Sequence, residues 1–442
     1  MQLRHIGIEN YKGFEKCNID FHDKLNVIIG SNASGKTSIL TAIVKTIYNI
    51  TGKFATPNRL VETLKLTSGD INYAANYCNI FSVFNDFSGF ENPIMSSVIT
   101  NLGGNNKITS GNVKVFVKWF ENNCRQSTFT IPIIKFYPAN RGAVGYIENN
   151  KHKDYLISQL ETWSNIYQDS LSYSRFFTWF LEHETQELLL QRDSGKFDIK
   201  SPALQGIRKA LEIAFKMMDY PNFEIKTKQR QRQSNTKLIP TLVLENKNGV
   251  IEYIDNKSDG EKAIITLIAD IAYNLSVAKS FLNDDDFLGS KGIVLIDEIE
   301  THLHPKWQRE IIPMLTTIFP NIQFFITTHS PQVISSVNSE SVLVCDKFEV
   351  QRMQLKTNGE DTNSLLKYIF NTTERPKQYL ELLNKFDKMM GQRKQYDELI
   401  KIIGEVELLV KKDNAPAISN LTSEMAIQLA AYKFEMEHEI NK

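Results

Sequence analysis

Eight consecutive residues, Gly30-Ser-Asn-Ala-Ser-Gly-Lys-Thr37, satisfy the pattern G-x-x-x-x-G-K-[ST] at every fixed position. Each position has a chemical reason. Glycines let the backbone curl until successive N–H groups face phosphate oxygens, the lysine ammonium reaches the β and γ oxygens, and the threonine hydroxyl is offered to Mg²⁺. A helix beginning there adds the partial positive charge of its N-terminus. The candidate nucleotide contacts are therefore Gly30, Ser31, Asn32, Ala33, Ser34, Gly35, Lys36, Thr37 and Ser38. The ligands this chemistry calls for are ATP and Mg²⁺.

Three further groups could serve the same reaction. Gly292-Ile-Val-Leu-Ile-Asp297-Glu298 is an apolar run closing on two carboxylates. Asp297 could sit beside a metal held by Thr37. Adjacent side chains on a strand point to opposite sides, so Glu298 is expected to do something else, polarising an attacking water. His329, thirty-two residues beyond Asp297, ends a second apolar run. That is where α/β sheets bind ligands, and its imidazole could reach a γ-phosphate or the water. Ser258-Asp-Gly-Glu261 has the spacing of a helix capping box, and the same turn can present a hydroxyl and N–H groups to an anion.

These groups need a scaffold that gathers strand ends. Leu25–Ile29 reads as a buried parallel strand, and Ile39, Leu40, Ile43 and Ile47 recur at helical spacing behind the glycine loop, giving strand, loop and helix. Leu3, Ile6 and Ile8 suggest a first strand and Asn18–Phe21 a second; Val113–Phe120 and Ser127–Tyr137 read as two more. Residues 51–112 carry weak signals with loop-like Asn/Gly clusters, 151–219 read as helical, Phe223–Ile254 as strands, and the stretch after Thr373 as amphipathic helices.

Composition sets outer limits. The 442 residues allow two to three domains, and 42% hydrophobic with 23% charged residues is ordinary globular usage. Fifty-one basic residues balance fifty-one acidic ones, so nucleic-acid contact would need a local patch. No apolar run approaches the ~18 residues of a membrane span, and no signal-peptide pattern opens the chain. Cys17, Cys78, Cys124 and Cys345 lie far apart and read as reduced core thiols of a cytoplasmic protein.

The order G-x-x-x-x-G-K-T, S-D-G-E, strand-D-E, strand-T-T-H-S resembles the ABC-type ATPases of the SMC/RecF kind. The opening Ile8-Glu-Asn-Tyr-Lys-Gly-Phe14 is similar to that family's I-x-N-F-[RK]-x-F strand, and Asn32 matches its loop, with Ala33 replacing the usual glycine. The resemblance implies an α/β head (mixed sheet plus helical subdomain) that pairs with a second head around two ATP molecules. Ser258, Asp259, Gly260 and Glu261 would be the signature that caps the γ-phosphate on the opposite head. Asp297 would be the metal-linked acid, Glu298 the base, His329 the switch histidine and Glu300–Pro305 an inter-head loop. Asn140 and Arg141 are the Q-loop candidates. More than two hundred residues separate Lys36 from Ser258 without sustained heptads, which suggests a short helical arm instead of a long coiled coil.

The expected organisation is an N-terminal head lobe at 1–150, a helical insertion at 151–222, a C-terminal head lobe at 223–372 and a helical partner-binding region at 373–442. Phe176–Phe180, Tyr137–Arg141, the block 297–308 and Glu374-Arg-Pro376 resemble the Septu-type and retron-associated defence ATPases of the PtuA family. That resemblance implies a homodimer or higher even oligomer, an HNH nuclease partner (PtuB) and, in retrons, a reverse transcriptase with its RNA–DNA product. The competing reading is a RecF/SMC-like DNA-repair ATPase without a toxic partner. A nuclease of the OLD family would need a Toprim domain after His329, for which the remaining residues carry no Glu and Asp-x-Asp pattern, so the chain is expected to cut nothing itself. Lys226, Lys228, Arg230 and Arg232 alternate along one strand face, which could follow a nucleic-acid backbone, meet an acidic partner, or simply be solvated.

Overall fold

The computed structural model describes the chain except residues 53, 55–63, 88, 104–106, 109–110, 125–129, 140–162, 164–165, 167–172, 221, 232–237, 279–286, 371–376, 392–395, 414–424, 426 and 432–442. Asn140, Arg141, Arg232 and the Glu374–Pro376 segment lie outside the described residues.

The N-terminal strands β1 (Gln2–Tyr11) and β2 (Phe14–Asp20) form an antiparallel hairpin. β3 (Leu25–Ile29) leads into α1 (Lys36–Thr51), whose Ile39, Leu40, Ile43, Ile47 and Ile50 are buried as their spacing requires. Two strands follow that the weak sequence signal did not indicate, β4 (Tyr77–Asn85) and β5 (Ile94–Asn101). Their inward faces carry Ser82, Ser96 and Thr100 among the apolar residues, all buried, which dilutes the hydrophobic alternation. With the short β6 (Lys107–Ile108) they complete an antiparallel sheet ordered β2-β1-β4-β5-β6.

Val113–Asn123 is a helix, α2, where a strand was expected. The alternating Val113, Val115 and Val117 mimic a strand, but the buried set is Val113, Phe116, Val117 and Phe120, which has helical spacing, and Val115 is exposed. β7 (Ile133–Tyr137) is buried throughout. Two helices, α3 (Tyr173–Ser194) and α4 (Pro202–Met217), then precede a three-stranded antiparallel sheet, β8 (Phe223–Gln231), β9 (Leu238–Asn246) and β10 (Ile251–Tyr253). Arg208 of α4 binds Glu184 and Glu187 of α3, while Glu184 also accepts the Thr227 N–H of β8, fastening these elements together.

After α5 (Asp259–Ala278) come β11 (Gly292–Ile296), α6 (Pro305–Ile318), β12 (Ile322–Thr328), the single-turn α7 (Pro331–Ile334), β13 (Val342–Asp346) and β14 (Glu349–Arg352). The central sheet runs β14-β13-β3-β12-β11-β7, parallel except for the edge strand β14. β11 and β12 are buried at every position, as expected of strands covered on both faces. One core cluster unites residues of α1, the antiparallel sheet and the central sheet.

Contacts divide the chain into two compact units, Met1–Leu365 and Leu366–Lys442, with the division falling inside α8 (Thr362–Phe370). The second unit contains α9 (Lys377–Gly391) and α10 (Tyr396–Asp413) around its own small core of Phe386, Leu399, Ile402 and Val406. Among the described residues no helix is long and apolar enough to cross a membrane.

Candidate functional site

The parallel strands β3, β12 and β11 deliver Gly30, His329 and Asp297 to one edge, their C-terminal ends. The glycine loop turns on residues in the left-handed region, Gly30 at φ 154° and Gly35 at φ 113°. At Gly30 the reason is also steric, since a Cβ would lie 2.0 Å from the Cys345 carbonyl oxygen. Ala33, where the family usually has glycine, adopts φ 62° without one. Lys36 is buried and its Nζ donates to the Gly30 carbonyl at 3.1 Å and the Ser31 carbonyl at 2.7 Å, so the ammonium lies inside the loop. Burial pushes that ammonium below its usual range, with Cys345, Asp297, Glu298 and Glu300 opposing the shift incompletely. The Ser34 hydroxyl is buried in the loop and, among the described residues, has no hydrogen-bond partner.

Thr37 Oγ1 donates to Asp297, 2.9 Å from Oδ2 and 3.2 Å from Oδ1. Asp297 is itself buried and receives a second hydroxyl, that of Thr327, at 2.5 Å. Thr327 accepts in turn from the Glu298 N–H at 2.8 Å. Asp297 and Glu298 do not alternate on a strand as expected, because β11 ends at Ile296 and Glu298 turns at φ 48°. A left-handed non-glycine residue costs about 1 kcal/mol. What separates the two acids is environment: Asp297 is buried between two hydroxyls, whereas Glu298 is half-buried at the turn.

His329 is half-buried, and its backbone N–H is held by Glu300 Oε1 at 2.6 Å. Glu300 therefore reaches back to the histidine, a task its place in the expected inter-head loop did not suggest; its other oxygen is buried and has no partner among the described residues. The sequence reading also missed Thr327 and the support from β13–β14. The Cys345 thiol donates to the Ser34 carbonyl at 3.1 Å and the Phe348 N–H donates to it at 3.0 Å, bracing the loop from behind. Burial raises the Cys345 pKa, against the pull of Ser34 and Lys36, which keeps the thiol a donor. Lys12, quoted in the opening motif without a role, donates from Nζ to Thr41 of α1 at 3.3 Å. No local signal marks a threonine or cysteine as a support; only the register of neighbouring strands does.

The Ser258–Glu261 turn is a reciprocal capping box. Ser258 N donates to Glu261 Oε2 at 2.9 Å, Ser258 Oγ donates to the same oxygen at 2.7 Å, and Glu261 N donates back to Ser258 Oγ at 3.3 Å. Gly260 packs on the loop after β11, where a Cβ would meet the His302 carbonyl oxygen at 2.6 Å. Among the described residues no hydrogen bond joins this turn to residues 30–38, and Ser258 and Asp259 are exposed. The structure thus gathers the glycine loop, Asp297, Glu298 and His329, and leaves Ser258 and Asp259 exposed.

The basic strand carries less free charge than its sequence suggests. Lys226 pairs with Glu224 at 3.2 Å and Glu245 at 3.4 Å, Lys228 with Glu245 at 2.5 Å, and the Arg230 guanidinium lies 4.4 Å from the Tyr253 ring centroid. Exposed pairs of this kind contribute little stability, but they occupy the cations. In the aromatic segment, Phe176 and Phe180 are buried within α3 and Phe180 lies under Arg208, so both are core residues.

A phosphate-binding loop after a parallel strand, a threonine–aspartate pair beside it and a histidine at the end of the intervening strand are the parts of a P-loop ATPase site. Family models agree: "AAA ATPase domain" matches residues 1–137 and "AAA domain, putative AbiEii toxin, Type IV TA system" matches 129–335. Its homologues include the "Retron Ec83 probable ATPase" of Escherichia coli, 28% identical over 91% of this chain and 83% of that protein. The "Septu protein PtuA" of Bacillus thuringiensis is 22% identical over 93% of this chain and 95% of its own length. Among solved structures, an SMC head bound to the C-terminal winged-helix domain of ScpA covers 80% of this chain and 98% of its own, with 12% identity and a TM-score of 0.48.

Proposed function

We propose that this chain is the ATP-binding and hydrolysing subunit of a cytoplasmic antiphage defence assembly of the retron or Septu type, governing a partner HNH nuclease. The observation that carries the chemistry is the hydroxyl–carboxylate pair Thr37–Asp297, 2.9 Å apart beside the buried Lys36 ammonium. Two hard oxygen donors suit Mg²⁺, and the unpartnered Ser34 hydroxyl in the loop is a donor that a phosphate oxygen would satisfy. Mg²⁺, when bound, would neutralise charge on the phosphates. Lys36 would bind the β and γ oxygens. Glu298 would take a proton from the attacking water as the bond from γ-phosphorus to the bridging oxygen breaks, giving ADP and phosphate, with His329 hydrogen-bonded to the γ-phosphate. The relatives' names support a retron or Septu setting, and the exposed Ser258 and Asp259 suit a second copy closing over the nucleotide.

Glu298→Gln tests this reading, because it removes the base while leaving the Thr37–Asp297 pair in place. With ATP and Mg²⁺ the variant is expected to sediment as a stable even-numbered oligomer with turnover at least tenfold down, about 1.4 kcal/mol or more of barrier. Wild-type turnover would show that Glu298 is not the base. Strong stimulation of the native chain by duplex DNA, with no nuclease partner retained on co-purification, would favour the RecF-like repair alternative.

A further inference from the structure

Ser258 has one hydroxyl proton, and it is already committed. It goes to Glu261 Oε2 at 2.7 Å, so the hydroxyl cannot donate to a phosphate without first leaving that carboxylate. Glu261 is held independently of it. Tyr220, just beyond α4, donates its hydroxyl to Oε1 at 2.7 Å, the Ser258 backbone N–H donates to Oε2 at 2.9 Å, and Lys257 Nζ lies 3.9 Å from Oε1. Lys257 is fixed in turn by an ion pair with Glu252 and by the Tyr220 ring, 3.8 Å from its ammonium to the centroid. Burial alone would raise the Glu261 pKa, but the hydrogen bonds from Tyr220 and Ser258 and the nearby Lys257 outweigh it and keep the carboxyl below its ordinary value.

We propose that Glu261 is a built-in competitor for phosphate, a positioning residue whose carboxylate retains the Ser258 hydroxyl until an ATP phosphate oxygen on a second copy takes its place. This rests on the reading that the 258–261 turn closes over a nucleotide in trans. The exchange needs only a rotation of the hydroxyl proton. Because the Ser258 N–H, Tyr220 and Lys257 still hold the carboxylate afterwards, the cap of α5 survives. The device raises the ATP level needed for association, since one charge-assisted hydrogen bond is surrendered for the one gained.

The test measures the ATP concentration for half-maximal association by sedimentation, in the Glu298→Gln background. Glu261→Gln keeps one acceptor oxygen for Ser258 and turns an amide NH2 toward the Tyr220 hydroxyl, which can accept from it, so the Ser258 hydroxyl is held by a neutral and weaker acceptor. It should lower the half-maximal ATP by about three- to tenfold, with the melting temperature unchanged. Asp259→Asn removes an equal charge from an exposed neighbour that makes no hydrogen bond to Ser258, and should shift the midpoint much less. Equal shifts in the two variants would mean simple charge repulsion, and a higher ATP requirement in Glu261→Gln would mean the residue is only a cap; either overturns the proposal. Ser258→Ala separates the levels. Undiminished association there would sink the trans reading itself, whereas lost association combined with no gain in Glu261→Gln would sink only the competition.

Discussion

Thr327 makes no contact that a motif search would record, yet it joins both acids of the site. Its side chain is fully buried; its hydroxyl donates to Asp297 Oδ1 at 2.5 Å and accepts the Glu298 N–H at 2.8 Å. Thr327→Val keeps the volume and removes both bonds. A hydrogen bond to a charged group contributes about 1.5–3 kcal/mol, and an N–H deprived of its acceptor costs about 1–3 kcal/mol. The two terms share one hydroxyl and do not add in full, so about 2 kcal/mol on the metal side is a fair expectation. That corresponds to roughly thirtyfold weaker Mg²⁺ half-saturation, within the 10–100-fold that outer-shell partners of metal ligands typically control. The assay is steady-state phosphate release titrated with Mg²⁺ at saturating ATP, with Thr327→Ser as the variant that keeps the hydroxyl and should stay near native. A native Mg²⁺ requirement and turnover in a folded Thr327→Val protein would refute the reasoning.

Two other perturbations probe the scaffold and the loop. Arg208→Ala removes the cation shared by Glu184 and Glu187, whose side chains are only 12% and 6% exposed, and should cost about 3 kcal/mol in denaturant unfolding; a loss below about 1 kcal/mol would mean the acids find other partners. ATP affinity should fall as pH rises on the alkaline side. The Lys36 ammonium, depressed mainly by burial from 10.5, loses its proton in the free protein before an ordinary lysine would, while bound phosphate raises it again. Binding must then restore the proton, so affinity is level below the depressed value and declines above it; calorimetric titration showing no decline, or Lys36→Arg declining equally, would contradict this.

The glycine loop was legible in the sequence because its backbone geometry can be met by few residue types, and Gly30, pressed against the Cys345 carbonyl, shows why. The end of β11 was legible because Gly292–Ile296 is apolar without interruption and stops before Asp297; β12 was legible from its apolar centre, Phe324–Ile326, although Gln323, Thr327 and Thr328 are buried within it. Val113–Asn123 was misread because its valines satisfy period two while its phenylalanines satisfy the helical period, and only burial decides between them. β4 and β5 were hidden by serine and threonine on inward faces. Thr327, Glu300 and Cys345 were invisible for another reason: they act through residues 29 to 311 positions away in the chain, so their meaning lies in strand order, which no local pattern carries.

Strand order also joins α5 to the turn after β11. Tyr137, at the end of β7, accepts the Asp297 N–H on its carbonyl at 2.8 Å and donates its hydroxyl to Asp270 of α5 at 2.7 Å. Asp270 lies three helical turns from the Ser258 cap, on the helix that the 258–261 turn begins. Tyr137 therefore bonds both α5 and the backbone of Asp297. Sequence proximity cannot provide that link, since Asp297 and Ser258 lie on separate elements. The link exists because β7 pairs with β11 while α5 packs across β7. Tyr137 is fully buried, so its hydroxyl has no water to fall back on and the bond to Asp270 is costly to break. One buried side chain thus connects α5 by hydrogen bonds to the backbone of Asp297.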